Sequence, residues 1–301
     1  MEKEAWQKGI SVLVPVYNYD VRTFLCGLRD QATSCPFPVE VFALDDGSGE
    51  HWKAINSDMR AEKGIRWEEL PANVGRSRIR NIMAQRASCP YLLFLDGDGG
   101  LARTDFLQCY AAHLQPAAVL YGGRVYEREP PADPALLFHW RYGAERESMS
   151  VAARKARPYH AFMTNNFLIP RDIALRFPFD ESLEGYGHED TRFGAQLRDA
   201  GIAVIHLDNP VAHLGLEPAA VFLEKTRQGV ANLRKLIGRG ERVSTRLSNL
   251  GAKVESWGAG RLSAAVLKIL EPSLERWLCT GRAPMWAFDL YKLGLWLNTR
   301  F

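Results

Sequence analysis

Short apolar runs alternate along the first two thirds of the chain with stretches whose apolar residues keep helical spacing. Ile10 to Asn18 is β-branched and closed by Pro15 and Asn18, so it reads as a first strand. Asp20 is placed to cap a helix that carries Val21, Phe24, Leu25 and Leu28 on one face. Val39 to Leu44 is a second strand ending in Asp45-Asp46-Gly47-Ser48. A polar helix is expected from His51 to Arg60, a short strand from Ile65 to Glu69, and a loop at Asn73-Val74-Gly75 running into a helix that lasts to about Ala87. Tyr91 to Leu95 has no polar residue inside it and stops abruptly at Asp96-Gly97-Asp98, as expected of a strand buried on both faces of a parallel sheet. This alternation predicts an α/β fold with a mostly parallel sheet and right-handed crossovers.

Further on, Thr104 is placed to cap a helix containing Phe106, Leu107, Tyr110 and Leu114, and Ala117 to Tyr121 is another strand. A helix is expected near Pro134 to Glu147, then a mobile basic stretch at Arg154-Lys155-Ala156-Arg157, which is either a solvated face or a contact for phosphate. Thr164 to Pro170 reads as a strand whose Asn165 and Asn166 either face a cleft or serve a turn. Gly185-Tyr186-Gly187-His188-Glu189-Asp190 leads into an amphipathic helix with Phe193 and Leu197, followed by a strand at Ile202 to Ile205 and by Val211 to Gly215. From Glu217 the spacing is helical to the end, which divides the chain at 1–215 and 216–301. The last stretch, Met285 to Leu297, is apolar almost all round and too short to span a bilayer. Its open roles are packing on the domain, a homodimer contact, or a peripheral place at a membrane interface.

Composition narrows the class. With 301 residues, 47% hydrophobic and 24% charged, the chain is an ordinary globular protein. A net charge of +3 gives no case for nucleic acid. The five cysteines contain no Cys-x-x-Cys pair, against a disulfide framework or zinc site. Met1 to Trp6 starts acidic and is no secretory signal, so the expected location is cytoplasmic or peripheral at the inner face of the membrane.

The chemistry is carried by the acids. Asp96 and Asp98 lie two apart across a glycine, so they can converge on one hard cation, although Asp-Gly is also a common turn. Gly-x-Gly-x-x-Gly is absent after the first strand, as is the Walker pattern, which disfavours a dehydrogenase or P-loop enzyme. Glu189 and Asp190, in the first turn of a helix, complement the macrodipole on the plainest reading. His213 on an apolar stretch is on that reading a satisfied core residue.

Five motifs in order resemble family 2 glycosyltransferases of the GT-A fold, which bind nucleotide sugars on a Rossmann-like sheet. They are Val14-Pro15-Val16-Tyr17-Asn18, Asp45-Asp46-Gly47-Ser48, Asn73-Val74-Gly75 with Arg80-Asn81, Asp96-Gly97-Asp98, and Gly185 to Asp190. The resemblance covers roughly residues 9–215 and implies inverting sugar transfer from a nucleotide sugar, by family habit a UDP-sugar, to a hydroxyl acceptor such as a glycan or glycolipid. It implies that Pro15, Tyr17, Asn18 and Asn73 line the nucleotide pocket, that Asp46 or Asp45 holds the base, that Arg80 lies near the nucleotide and that Asp96 touches the ribose. By the same resemblance Asp98 binds Mn²⁺ or Mg²⁺, His213 closes the metal shell, Asp190 is the catalytic base and Glu189 contacts the acceptor. The alternatives are a sugar nucleotidyltransferase, whose basic phosphate loop is missing, and a non-catalytic nucleotide-sugar-binding protein.

Overall fold

In the computed structural model residues 9–183 and 185–299 are described. The Met1 to Trp6 stretch lies outside them. The chain divides into two compact units: Met1–Val125, Met149–Ser182 and Gln196–Gly215 form one, and Tyr126–Ser148, Leu183–Ala195 and Leu216–Phe301 the other. The unit holding the C-terminal helices therefore also takes in two earlier segments.

The first unit is built on strands β1 (Ile10–Val16), β2 (Val39–Asp45), β3 (Ile65–Glu69), β4 (Tyr91–Leu95), β5 (Gly99–Leu101), β6 (Ala118–Tyr121), β7 (Arg124–Val125), β8 (Asn166–Pro170), β9 (Ala203–His206) and β10 (Val211–His213). Seven of them form one sheet in the order β3-β2-β1-β4-β8-β6-β9, and β5-β10-β7 form a second, smaller one. In the large sheet β8 alone runs against the other strands. The expected mostly parallel α/β architecture is thus present. The chain moves outward from β1 to β2 and β3, then crosses back to place β4 on the other side of β1. The crevice at the C-terminal ends of β1 and β4 is therefore a topological switch point, where open α/β sheets bind ligands.

Burial explains the all-apolar strands: Val12, Val14, Leu93 and Phe94 are shielded on both faces, and Phe24, Leu25 and Leu28 of the helix Arg22–Thr33 cover one side. The helix expected from Thr104 is shorter than its pattern. It spans Phe106–Ala111 with Asp105 at the cap, no side-chain cap bond, and Leu114 beyond its end. Arg154 corrects the expectation of a solvated basic stretch. It lies in the helix Val151–Lys155, is 3% exposed, and donates to the carbonyls of Met149, Tyr121, Gly122 and Leu207. One guanidinium thus satisfies several backbone acceptors where the ends of β6 and β9 meet, a use no local pattern announces. Lys155 and Arg157 are exposed. Asn165 and Asn166 are both buried. Asn166 donates to the carbonyls of Gly123 and Asn209 and accepts from the Tyr110 hydroxyl.

The second unit is helical. Helices Ala219–Gly238, Arg246–Ser256, Gly260–Cys279 and Met285–Asn298 enclose one core in which Phe138, Phe222, Leu233, Leu278, Phe288, Tyr291 and Trp296 pack. The last helix buries Met285, Ala287, Phe288, Tyr291 and Leu293 to Leu297, leaving Trp286 and Leu290 exposed. Packing accounts for most of its apolar surface.

Candidate active site

In-register pairing sets the site. Because Val16 pairs with Asp45 and Leu13 with Phe94, the ends of β1, β2 and β4 bring Pro15 to Asn18, Asp45-Asp46 and Asp96 to Asp98 to one edge. Gly97 is required there, since a Cβ would come within 2.8 Å of the Pro15 carbonyl oxygen. Asn18 adopts a left-handed φ of 49°; its backbone N–H donates to Ser48 Oγ and its Oδ1 accepts from the Gly49 N–H. Tyr17 stands exposed beside it.

Asp45 and Asp46 are buried. Asp45 Oδ1 accepts the Ser48 N–H, while its Oδ2 has no hydrogen-bond partner among the described residues. Asp46 receives the N–H groups of Val74 and Gly75 and the Asn73 amide, so it tethers the Asn73 to Gly75 loop. Burial, helped by the neighbouring Asp45, raises the Asp46 carboxyl despite those two N–H donors. Gly47 at φ 70° lets the two loops touch, because a Cβ would clash with the Ala72–Asn73 backbone at 2.5 Å.

Asp96 sits among three arginines. Its Oδ1 accepts from Arg80 Nη2 at 2.7 Å, and its Oδ2 lies 3.6 Å from Arg76 and 3.5 Å from Arg124. Arg80 is 2% exposed and also donates to the Arg76 carbonyl. Arg76 and Arg80 are one turn apart on the helix Arg76–Arg86, so both reach the same carboxylate from one helix face. Arg124 carried no signal in the local sequence; pairing of β7 with β10 delivers it.

Antiparallel pairing of β10 with β5 brings His213 opposite Gly99 and puts its Nδ1 3.4 Å from Asp98 Oδ1. The Leu214 N–H donates to the Asp98 carbonyl, and Gly215 leaves room for the carboxylate, which a Cβ would meet at 2.4 Å. Burial alone would raise the Asp98 carboxyl. The hydrogen bond and charge of His213, with Arg124 and Arg76, hold it well below the usual carboxylate range. Burial and the Asp98 and Asp20 carboxylates push the Tyr19 hydroxyl up. One ionised carboxylate beside one imidazole suits a divalent cation whose shell is completed by phosphate oxygens and water. Among the described residues no group of three or more His, Cys, Asp or Glu gathers.

Glu189 and Asp190 belong to the second unit and open the helix Glu189–Asp199. The loop before them is held in unusual backbone: Gly185, Gly187 and His188 all have positive φ. Asn232 donates to the carbonyls of Tyr186 and Gly187, and Gly187 lies against Gly229 of the same helix. Asp190 Oδ1 accepts the Thr191 N–H at 2.6 Å, and the Thr191 hydroxyl lies 3.0 Å from His188 Nδ1.

A family model, that of glycosyl transferase family 2, matches residues 11–174. The chain belongs to that family. An uncharacterized glycosyltransferase of Haemophilus influenzae is 32% identical over 98 residues, which cover 31% of this chain and 37% of that protein. The chain therefore matches little more than a third of that relative's length. Glucosyl-3-phosphoglycerate synthase from Mycobacterium tuberculosis, solved with Mn²⁺, UDP and glucosyl-3-phosphoglycerate, superposes with a TM-score of 0.54 at 19% identity, over 81% of this chain and 86% of that one. A mannosyltransferase from Pyrobaculum calidifontis, solved with GDP-Man and Mn²⁺, gives 0.55 at 15% identity, over 96% and 88%. At such identities the likeness is one of fold, the GT-A fold.

Proposed function

We propose that the protein transfers a sugar, with inversion, from a nucleoside diphosphate donor, UDP by preference, to a hydroxyl of a glycan or glycolipid acceptor. The observation that carries this reading is the juxtaposition of Asp98 and His213, 3.4 Å apart, with the arginines gathered on Asp96 at the sheet's switch point. An anion-binding group beside a cation-binding group is what a metal-chelated diphosphate requires. The fold neighbours solved with Mn²⁺ and UDP or GDP-Man support the same donor class.

Asp98 and His213 would hold Mn²⁺ or Mg²⁺, which supplies Lewis-acid neutralisation of the departing diphosphate. Arg76 and Arg124 reinforce that neutralisation, with Arg80 keeping Asp96 in place for the ribose. Pro15, Tyr17, Asn18 and Asn73 bound the nucleotide, and Asp45 or Asp46 receives the base. Asp190 takes the proton of the attacking hydroxyl, and Glu189 contacts the acceptor. The test is release of nucleoside diphosphate from a panel of donors, with and without Mn²⁺. Metal-dependent release from a UDP-sugar, increased by a glycan acceptor, is expected; no release from any donor would overturn the reading.

A further inference from the structure

The structure moves the apolar surface that needs a partner from the last helix to the one before it. Helix Gly260–Cys279 turns Leu267, Leu274 and Leu278 into the core of the second unit. Its opposite face carries Leu262, Val266, Ile269, Leu270 and Trp277 in the open, with Leu262 72% and Ile269 79% exposed. Leu262, Val266, Ile269 and Leu270, three and four residues apart, make one stripe along the first half of a helix about 30 Å long, and Trp277 lies two turns further along the same side. At its C-terminal end Trp277 meets Trp286 edge to face at 5.4 Å, and exposed Trp286 and Leu290 continue the surface onto the next helix. A stripe of this kind, with a tryptophan pair at its far end, marks an interaction site; single exposed apolar residues do not.

Charge selects the partner. Arg261, Lys268 and Arg276 follow one flank of the stripe, and exposed Arg282 follows the helix. Arg261 and Arg276 are exposed, and the Arg276 guanidinium donates within its own helix, to the Pro272 carbonyl and the Ser273 hydroxyl. The helix's two acids, Glu271 and Glu275, are withdrawn: both bond to Arg227 of the helix Ala219–Gly238, Glu275 also receives the Tyr291 hydroxyl, and Glu271 also pairs with Lys268. A second copy presenting the same face would bring arginines with no outward acid on this helix to answer them.

We propose that this face rests on an anionic lipid surface. The apolar stripe enters the headgroup boundary, the flanking cations meet the lipid charge, and the tryptophan pair occupies the interface where indoles are favoured. The helix lies in the membrane plane, in keeping with the absence, among the described residues, of any helix long and apolar enough to cross it.

Co-sedimentation of the full chain with phosphatidylglycerol–phosphatidylcholine vesicles tests this, with pure phosphatidylcholine vesicles as control. Binding to the anionic vesicles that weakens with salt is expected. The pair Leu262→Asp and Ile269→Asp should lower the partition coefficient at least about tenfold. Arg261→Glu with Arg276→Glu should lower it on anionic vesicles by a similar factor and leave phosphatidylcholine unchanged. Circular dichroism and UDP affinity should not move, since these side chains are exposed and outside the site. Absence of binding to anionic vesicles, or variants that sediment like the parent, would overturn the proposal. So would concentration-dependent dimerisation abolished by Ile269→Asp without lipid binding, which would make the face a self-association surface.

Discussion

Asp98→Asn separates metal holding from scaffolding. Asn preserves the shape of the side chain and removes its charge. Asp98 supplies the one formal negative charge of the pair it makes with His213. A unit charge acting at ~4 Å through an effective dielectric of ~20 is worth about 4 kcal/mol, part of which is lost to dehydration. UDP affinity in Mn²⁺ should therefore fall by at least about a hundredfold, or roughly 2.7 kcal/mol. Without metal the sign reverses. The variant leaves Arg76 and Arg124 with one acid fewer nearby, so metal-free UDP should bind as before or up to about tenfold tighter. The lost attraction to His213, Arg124 and Arg76 should cost about 1 to 2 kcal/mol of stability, measurable in denaturant. Calorimetric titration with UDP, with and without Mn²⁺, reads both signs. Equal loss in the two conditions would show Asp98 to be a structural strut, and unchanged affinity in Mn²⁺ would remove it from the metal site.

Three further outcomes are expected. Asp190→Asn should lower turnover by about 10² to 10⁴ while donor affinity holds, because Asn cannot take a proton at neutral pH; near-normal turnover would pass the role of base to Glu189. Arg80→Met should destabilise the protein by about 2 kcal/mol, less than the roughly 3 to 5 of a fully stranded buried pair, because Arg76 and Arg124 still face Asp96; urea unfolding checks it. His206, 2% exposed, accepts from Arg154 on Nδ1 and donates from Nε2 to the Pro158 carbonyl. Burial, with the Arg154 and Lys155 charges, lowers it from 6.5 to about 4, so its neutral form is the folded one. Stability should be complete above about pH 6.5 and fall by up to roughly 3 kcal/mol as pH drops to 4; His206→Gln should flatten that slope in pH-dependent melts.

The wholly apolar Tyr91 to Leu95 could be read as a doubly covered strand because a central strand of a parallel sheet leaves no position for a polar side chain. The acids ending β2 and β4 were legible for the same reason: a run that stops abruptly marks the sheet edge. Two of their partners were settled by long-range pairing, which leaves no trace in local spacing. His213 meets Asp98 only because β10 runs antiparallel to β5, and Arg124 reaches Asp96 only through a two-residue strand laid beside β10. Burial likewise overrode local character. Arg154 reads as a solvated cation until the ends of β6 and β9 present it with carbonyls to satisfy. The final helix is buried because three other helices enclose it, and the helix before it keeps its apolar stripe exposed because its core face is already in use. Hydrophobic period says which face of an element is apolar; only the tertiary structure decides which of those faces finds a partner.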